Sequence, residues 1–160
     1  MRKIERLSEF TVYNSIDELP SNINALMKKA IEARKNSYAP YSRFSVGAAV
    51  LMENGEVVTG SNQENASYPS GLCAERTAIY SAGSQFPGMA VKTIAIVAGS
   101  KNKTTKKPIP PCGACRQAIS EYELKQDSPI SIFFMGEVGE VVQSDSLANL
   151  LPLLFDPSEL

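Results

Sequence analysis

The chain has no histidine, no tryptophan and only three cysteines among its 160 residues. Without imidazole, protein ligands to a metal such as zinc must come from thiolates and carboxylates. Charge of either sign is also in short supply as an excess: sixteen basic residues face seventeen acidic ones, for a net charge of −1. No overall field therefore draws the chain to nucleic acid or to a membrane surface. No apolar run approaches the ~20 residues of a bilayer span. Met1-Arg2-Lys3-Ile4-Glu5-Arg6 is basic, but no apolar stretch follows it, so a secretory leader is not expected. Three cysteines without a leader do not make a disulfide framework, and free thiols fit a reducing, cytoplasmic setting. The rest is ordinary for a folded domain: 43% hydrophobic and 21% charged residues, with enough length to bury one core.

All three cysteines fall in two short segments, Cys73-Ala74-Glu75-Arg76 and Pro111-Cys112-Gly113-Ala114-Cys115-Arg116-Gln117. Zinc takes four tetrahedral ligands, and a catalytic site keeps one position for water. Cys73, Cys112 and Cys115 supply three ligands. A closed structural site needs a fourth from a carboxylate or another chain, so the count favours an open, catalytic zinc. A Cys-x-x-Cys pair alone fits a redox couple or half of a structural zinc site. Cys-Ala-Glu upstream and Pro111 before the pair turn the balance toward catalysis.

Cys112 and Cys115 are spaced to face one metal from the start of a helix, where Pro111 is well suited and Ala114 to Glu121 is helix-compatible. Cys73 reads as a first-turn residue, since Ala74, Ala78, Ile79 and Ala82 recur at helical spacing. Helix N-termini favour thiolate over thiol. Three thiolates around Zn2+ leave a formal charge of −1, so a cation is expected beside them, with Arg76 the first candidate and Arg116 the second. Glu75 is badly placed as a ligand and well placed to move protons between the metal's water and a substrate.

Residues 1–20 read as an extension, with a short strand at Phe10-Thr11-Val12-Tyr13, that packs on the domain or on a neighbouring subunit. Residues 21–160 read as a single domain. Ser21 to Lys35 is a helix capped by Ser21, with Ile23, Leu26, Met27, Ala30 and Ile31 as its apolar stripe. Ser45 to Met52 and Glu56 to Thr59 form a hairpin across Asn54-Gly55. A polar loop from Gly60 to Gly71 leads to the Cys73 helix, which runs to Ala82. Val91 to Ala98 is a buried strand. The loop from Ser100 to Pro111 carries Lys101, Lys103, Lys106 and Lys107 and is read as solvated ahead of an anion site. Pro129 to Met135 and Glu140 to Val142 are strands, and Ser144 or Asp145 caps a short helix through Leu151. The tail, with Leu153, Leu154 and Phe155, is apolar enough to dock. These elements make an α/β layered domain on a mixed sheet, with the metal-bearing helix starts at one edge.

From Met27 to Phe155 the sequence resembles the small, homotetrameric cytidine deaminases of pyrimidine salvage. The likeness runs through Tyr38-Ala39-Pro40-Tyr41-Ser42-x-Phe44-x-Val46-Gly47-Ala48-Ala49, then Asn62-x-Glu64-Asn65-Ala66-Ser67-Tyr68 and Cys73-Ala74-Glu75-Arg76-Thr77-Ala78. It continues through the Pro111 to Gln117 stretch and Leu151-Pro152-x-x-Phe155. The resemblance implies a three-layer α/β/α fold around a mixed five-stranded sheet, a homotetramer, and zinc as sole cofactor at one ion per subunit. It implies hydrolytic deamination of cytidine and deoxycytidine to uridine and deoxyuridine, with hydroxide on zinc attacking C4 and Glu75 shuttling protons.

By the same likeness, Asn62 and Glu64 bind a sugar hydroxyl, Phe44 stacks on the base, and Ala74 gives backbone contacts to the pyrimidine. Asn65 and Tyr68 complete pockets in the tetramer, Phe155 covers the base from an adjacent subunit, and Arg76 is the thiolate partner. The departures, Gln63 and Pro69-Ser70-Gly71, bear on substrate preference. Aminonucleoside-antibiotic deaminases share the cysteine motifs, but Asn62 and Glu64 suit a plain ribose. A polynucleotide deaminase needs a basic strand-tracking groove, which a net charge of −1 and the lack of tryptophan argue against. A non-enzymatic zinc module is the remaining alternative. The expected partner is a small nucleoside, not nucleic acid or membrane.

Overall fold

In the computed structural model, residues 1–126 and 128–156 are described. Among the described residues, six strands and three α-helices follow in order: β1 (Thr11–Tyr13), α1 (Ser21–Arg34), β2 (Phe44–Met52), β3 (Val57–Ser61), α2 (Ala74–Gln85), β4 (Val91–Ser100), α3 (Gly113–Gln126), β5 (Ser131–Met135) and β6 (Val141–Ser144). They form one mixed sheet in the order β1-β6-β5-β4-β2-β3. Only β4 and β5 pair in parallel, across the α3 crossover.

The apolar residues divide the helices between the two faces. Ile23, Leu26, Met27 and Ala30 of α1 pack on Ala49, Ala95, Val97, Phe133 and Met135. On the other face Ala78, Ile79 and Ala82 of α2 and Ile119 of α3 meet Ala48, Val50, Ile94, Ile96 and Ile132. The result is three layers, α/β/α, as expected.

The sheet has six strands and not five. Thr11–Tyr13 pairs antiparallel with β6 through Thr11 with Gln143, Val12 with Val142 and Tyr13 with Val141, and the Tyr13 hydroxyl donates to Gln143 Oε1 at 2.8 Å. Without β1, β6 would present an unpaired edge, and an open row of backbone donors and acceptors is a liability that folds cover. The sixth strand comes from the stretch ahead of the family resemblance.

Other boundaries moved by a residue or a few. Pro20 occupies the N-cap of α1, with no side-chain cap bond, and Ser21 is the first helical residue. α2 continues to Gln85. Near the C-terminus Ser146, not Ser144 or Asp145, caps a single 3₁₀ turn, Leu147–Asn149, by accepting from Ala148 N. Ser144 is instead buried, with its hydroxyl donating to the Ser146 carbonyl at 2.8 Å. Beyond it Leu150 is buried while Leu153 and Phe155 face solvent. The expected tail runs on to residues 157–160, which lie outside the described residues. The hairpin is where Asn54-Gly55 places it: Gly55 has φ +87 and Asn54 Oδ1 accepts from Glu56 N.

One close approach sets the depth of α2. A Cβ on Gly60 of β3 would lie 2.6 Å from both the Ala74 carbonyl oxygen and the Ala78 nitrogen, which are backbone atoms of α2. Gly60→Ala should therefore cost about 1–3 kcal/mol by overpacking and lift the start of α2, which carries Cys73. Thermal unfolding and metal content per chain check this, and an unchanged midpoint with full metal loading would contradict it.

Candidate metal centre and substrate cleft

β3 and β4 both run antiparallel to β2, so they share a direction and end at the same sheet edge. α2 follows β3 and α3 follows β4, so both helices start at that edge, where α/β sheets place their ligands. Cys73 is the N-cap residue of α2, with an extended backbone and no side-chain cap bond, which leaves its sulfur free. The Cys112 carbonyl accepts from Arg116 N at the start of α3, and Cys115 lies in the first turn. All three sulfurs thus belong to residues at the starts of two helices, where the dipole favours negative charge.

The sulfurs of Cys73 and Cys112 are 3.9 Å apart, those of Cys112 and Cys115 are 3.4 Å apart, and all three lie within 4.8 Å of one another. Zinc–sulfur bonds of about 2.3 Å in a tetrahedron place sulfurs about 3.8 Å apart. The spacing and the all-thiolate donor set fit zinc with one coordination position left open.

The surroundings already favour charge on sulfur. The Cys73 thiol is lowered to about 5, first because Cys115 donates to it and then because of the adjacent Arg76 guanidinium, against the effect of burial. Cys115 is pushed up, since it keeps the proton it shares with Cys73 and is buried. Arg76 reaches Cys73 Sγ at 3.4 Å, and its Nε is buried without a partner among the described residues. Arg116 points elsewhere: Nε donates to the Pro111 carbonyl at 2.8 Å and a terminal nitrogen to the Leu150 carbonyl at 2.6 Å. The second candidate for thiolate partner therefore braces the C-terminal turn.

Glu75 is 5% exposed. Burial, with a smaller push from the neighbouring Cys73, raises its carboxyl above the usual range, so it holds a proton readily.

A cleft of about 490 Å³ opens beside Cys73 and Arg76. It brings together Asn62, Glu64, Asn65 and Tyr68 from the polar loop. Asn62 is held at the start of β2, where its Oδ1 accepts from Val46 N at 2.8 Å and its Nδ2 donates to the Phe44 carbonyl at 2.9 Å. The Glu64 carboxylate accepts from Tyr41 N and from both the N–H and hydroxyl of Ser42. The Ser42 hydroxyl is the largest influence holding it below the usual carboxylate range. Asn65 accepts from Ser67 N, a local turn contact, and the Tyr68 and Tyr41 rings meet edge to face at 5.9 Å.

Three of the expected substrate residues are not among those lining the cleft. Phe44 is half-buried at the start of β2, Ala74 is fully buried, and Phe155 is 68% exposed on the C-terminal segment, its carbonyl held by Gln117 Nε2. Tyr41, Ser42 and Gln63 line the cleft without having been singled out for it. The signals available were the resembling motif, which contains Tyr41 and Ser42, and Gln63 as a departure from it.

The chain matches the model of the cytidine and deoxycytidylate deaminase zinc-binding region over residues 20–127. It is 44% identical over 135 residues to the cytidine deaminase of Halalkalibacterium halodurans, covering 84% of this chain and 95% of that protein. Its structure resembles the crystal structure of cytidine deaminase from Burkholderia pseudomallei, with a TM-score of 0.71 and 41% identity over 82% of this chain and 97% of that one. Cytidine deaminase from Mycobacterium tuberculosis is similar at a TM-score of 0.65 and 33% identity, over 86% and 99% of the two chains.

If Arg76 offsets the thiolate charge, Arg76→Ala should weaken zinc retention roughly 10- to 100-fold, as loss of a ligand's supporting partner does. Competition with a chromogenic chelator measures this, and unchanged retention would remove that role. With two helix starts, three converging sulfurs and a match across most of its length, the chain belongs to the cytidine and deoxycytidylate deaminase family and carries that family's zinc-binding region.

Proposed function

We propose that the protein hydrolytically deaminates free cytidine and deoxycytidine to uridine and deoxyuridine, as a step of pyrimidine salvage. In this reading it acts as a homotetramer with one zinc ion per subunit. The observation that carries the proposal is a buried Glu75 in the first turn of a helix whose cap is one of three converging cysteines. Zinc, held by Cys73, Cys112 and Cys115, would supply Lewis-acid activation of water at the pyrimidine C4.

The chain's own residues do the rest. The Glu75 carboxylate takes a proton from water and gives it to the ring nitrogen N3, then carries the proton of the C4 hydroxyl to the amino group, so the C4–N bond breaks, ammonia leaves and the C4 carbonyl forms. Burial raises that carboxylate's affinity for a proton, so it can accept one and pass it on. Arg76 offsets the excess charge of three thiolates around a divalent ion. At the far end of the cleft, the Glu64 carboxylate and the Asn62 side chain bind a sugar hydroxyl. Phe44 and the Ala74 backbone contact the base, Asn65 and Tyr68 complete the pocket, and Phe155 of the adjacent subunit covers it. Exposure of Tyr68 and Phe155 on a single chain supports a role at a subunit contact. Residues 21–160 carry this chemistry, and the extension ahead of them lends β1 to the sheet.

Loss of cytidine ultraviolet absorbance on incubation with the zinc-loaded protein tests the reaction. Glu75→Gln should retain zinc and lose roughly 100- to 10,000-fold in rate, the range for a positioned acid–base group. An unimpaired variant would sink the proton-carrier role, and an unchanged cytidine spectrum with zinc bound would sink the substrate. Light scattering should give the mass of four chains; a strict monomer would leave Phe155 without its role.

A further inference from the structure

Ser42 stands between two residues with proposed substrate roles. Its hydroxyl donates to Glu64 Oε1 and at the same time accepts from the backbone N–H of Phe44 at 3.0 Å. The other Glu64 oxygen accepts from Tyr41 N at 2.9 Å and Ser42 N at 3.3 Å. A carboxylate has roughly four acceptor sites, and this turn fills three of them, so the direction in which a further donor can approach is narrowed.

The hydrogen bonds continue past Phe44. Its carbonyl accepts from Asn62 Nδ2, and Asn62 Oδ1 accepts from Val46 N. Glu64, Ser42, Phe44 and Asn62 are thus joined in one run, from a sugar-end acceptor to the residue proposed to stack on the base. The backbone between them is held under strain. Arg43 has φ +54, the left-handed region that residues with a Cβ rarely adopt, and its carbonyl accepts from Lys101 N at 2.8 Å. Such a conformation persists where the surroundings over-determine it. Here Glu64 on one side and Lys101 on the other supply that constraint.

We infer that Ser42 is a positioning residue for the sugar end of the cleft, whose hydroxyl sets the Glu64 carboxylate and the first residue of β2 in fixed relation. The inference rests on the assignment of Glu64 to a sugar hydroxyl. Removing the hydroxyl leaves Glu64 with backbone donors alone and Phe44 N–H without its acceptor. The side chain then has a wider choice of orientation before substrate arrives. The loss falls on binding, because the proton-transfer end of the cleft is untouched.

Steady-state kinetics with cytidine on the zinc-loaded protein test this with Ser42→Ala, Ser42→Thr, Glu64→Ala and the double variant Ser42→Ala/Glu64→Ala. Ser42→Ala should raise KM roughly tenfold, as loss of a hydrogen bond to a charged group does, and keep kcat within about twofold of the parent. Ser42→Thr, which retains the hydroxyl, should recover most of the KM. The double variant should fall well short of the product of the two single effects, because Ser42 acts largely through Glu64. A parental KM for Ser42→Ala, an unrescued Ser42→Thr, or penalties that add in the double variant would each overturn the inference while leaving the sugar role of Glu64 standing. A parental KM for Glu64→Ala would overturn that role itself, and the inference with it.

Discussion

Three cysteine sulfurs lie within 4.8 Å of one another; negative charge gathered on them repels, and the architecture answers that repulsion. Two unit charges 4 Å apart interact by about 4 kcal/mol at the effective dielectric near a protein surface. Nothing in the side-chain inventory except Lys and Arg can offset such a cost. The chain meets it with two helix starts at one sheet edge and with the Arg76 guanidinium on Cys73. The helices must then lie close to the sheet, which explains the small residues where they touch it: Ala74, Ala78 and Ala82 on α2, and Gly60 beneath them. Close packing there is a condition for the electrostatics.

The opposite end of the cleft is built from backbone that belongs to no long element. Tyr38 N donates to the Asn62 carbonyl and Glu64 N to the Tyr38 carbonyl, while Gln63 and Leu72 exchange both of their backbone bonds. These bridges hold the polar loop against the turn after α1, so that Asn62 and Glu64 face the same space as Cys73. Arg116 makes a corresponding tie on the metal side, between the Pro111 carbonyl and the C-terminal turn at Leu150. Helix starts carry the sulfur end of the cleft, and hydrogen-bonded loops carry the Asn62 and Glu64 end, the usual division between scaffold and loops.

Periodicity made α1 legible almost to the residue, because Ile23, Leu26, Met27 and Ala30 repeat with the helix and all four are buried. Asn54-Gly55 was equally clear, since the turn needs a positive φ that glycine takes freely. The metal set needed no fold at all: three cysteines without histidine leave little choice of ligand. β1 was harder, as three residues of Thr-Val-Tyr character do not say which edge they join, and β6 lies 130 residues away. The cap of the last turn was misplaced because Ser144, Asp145 and Ser146 are equally good caps in isolation, and burial of Ser144 decides among them. Arg116 looked like a thiolate partner by adjacency to Cys115, yet one step along a helix turns a side chain by about 100°, and that step carries it to Leu150. Ser42 stood in the resembling motif without a role, because its partner, Glu64, is 22 residues further on.

The placement of the three sulfurs also bears on how the chain reaches its native state. Cys73 and Cys112 are 39 residues apart, and β4, which lies between them in sequence, pairs with β2 on one side and β5 on the other. No local hairpin or lone helix can assemble the full set. In the unfolded chain only Cys112 and Cys115 are near enough in sequence to hold one ion together. The third sulfur arrives only when a long loop has closed, a step that is slow and costly in chain entropy. Metal affinity at the complete site is therefore folding free energy in another form, and full coordination by the three cysteines is a certificate that the central strand has been inserted.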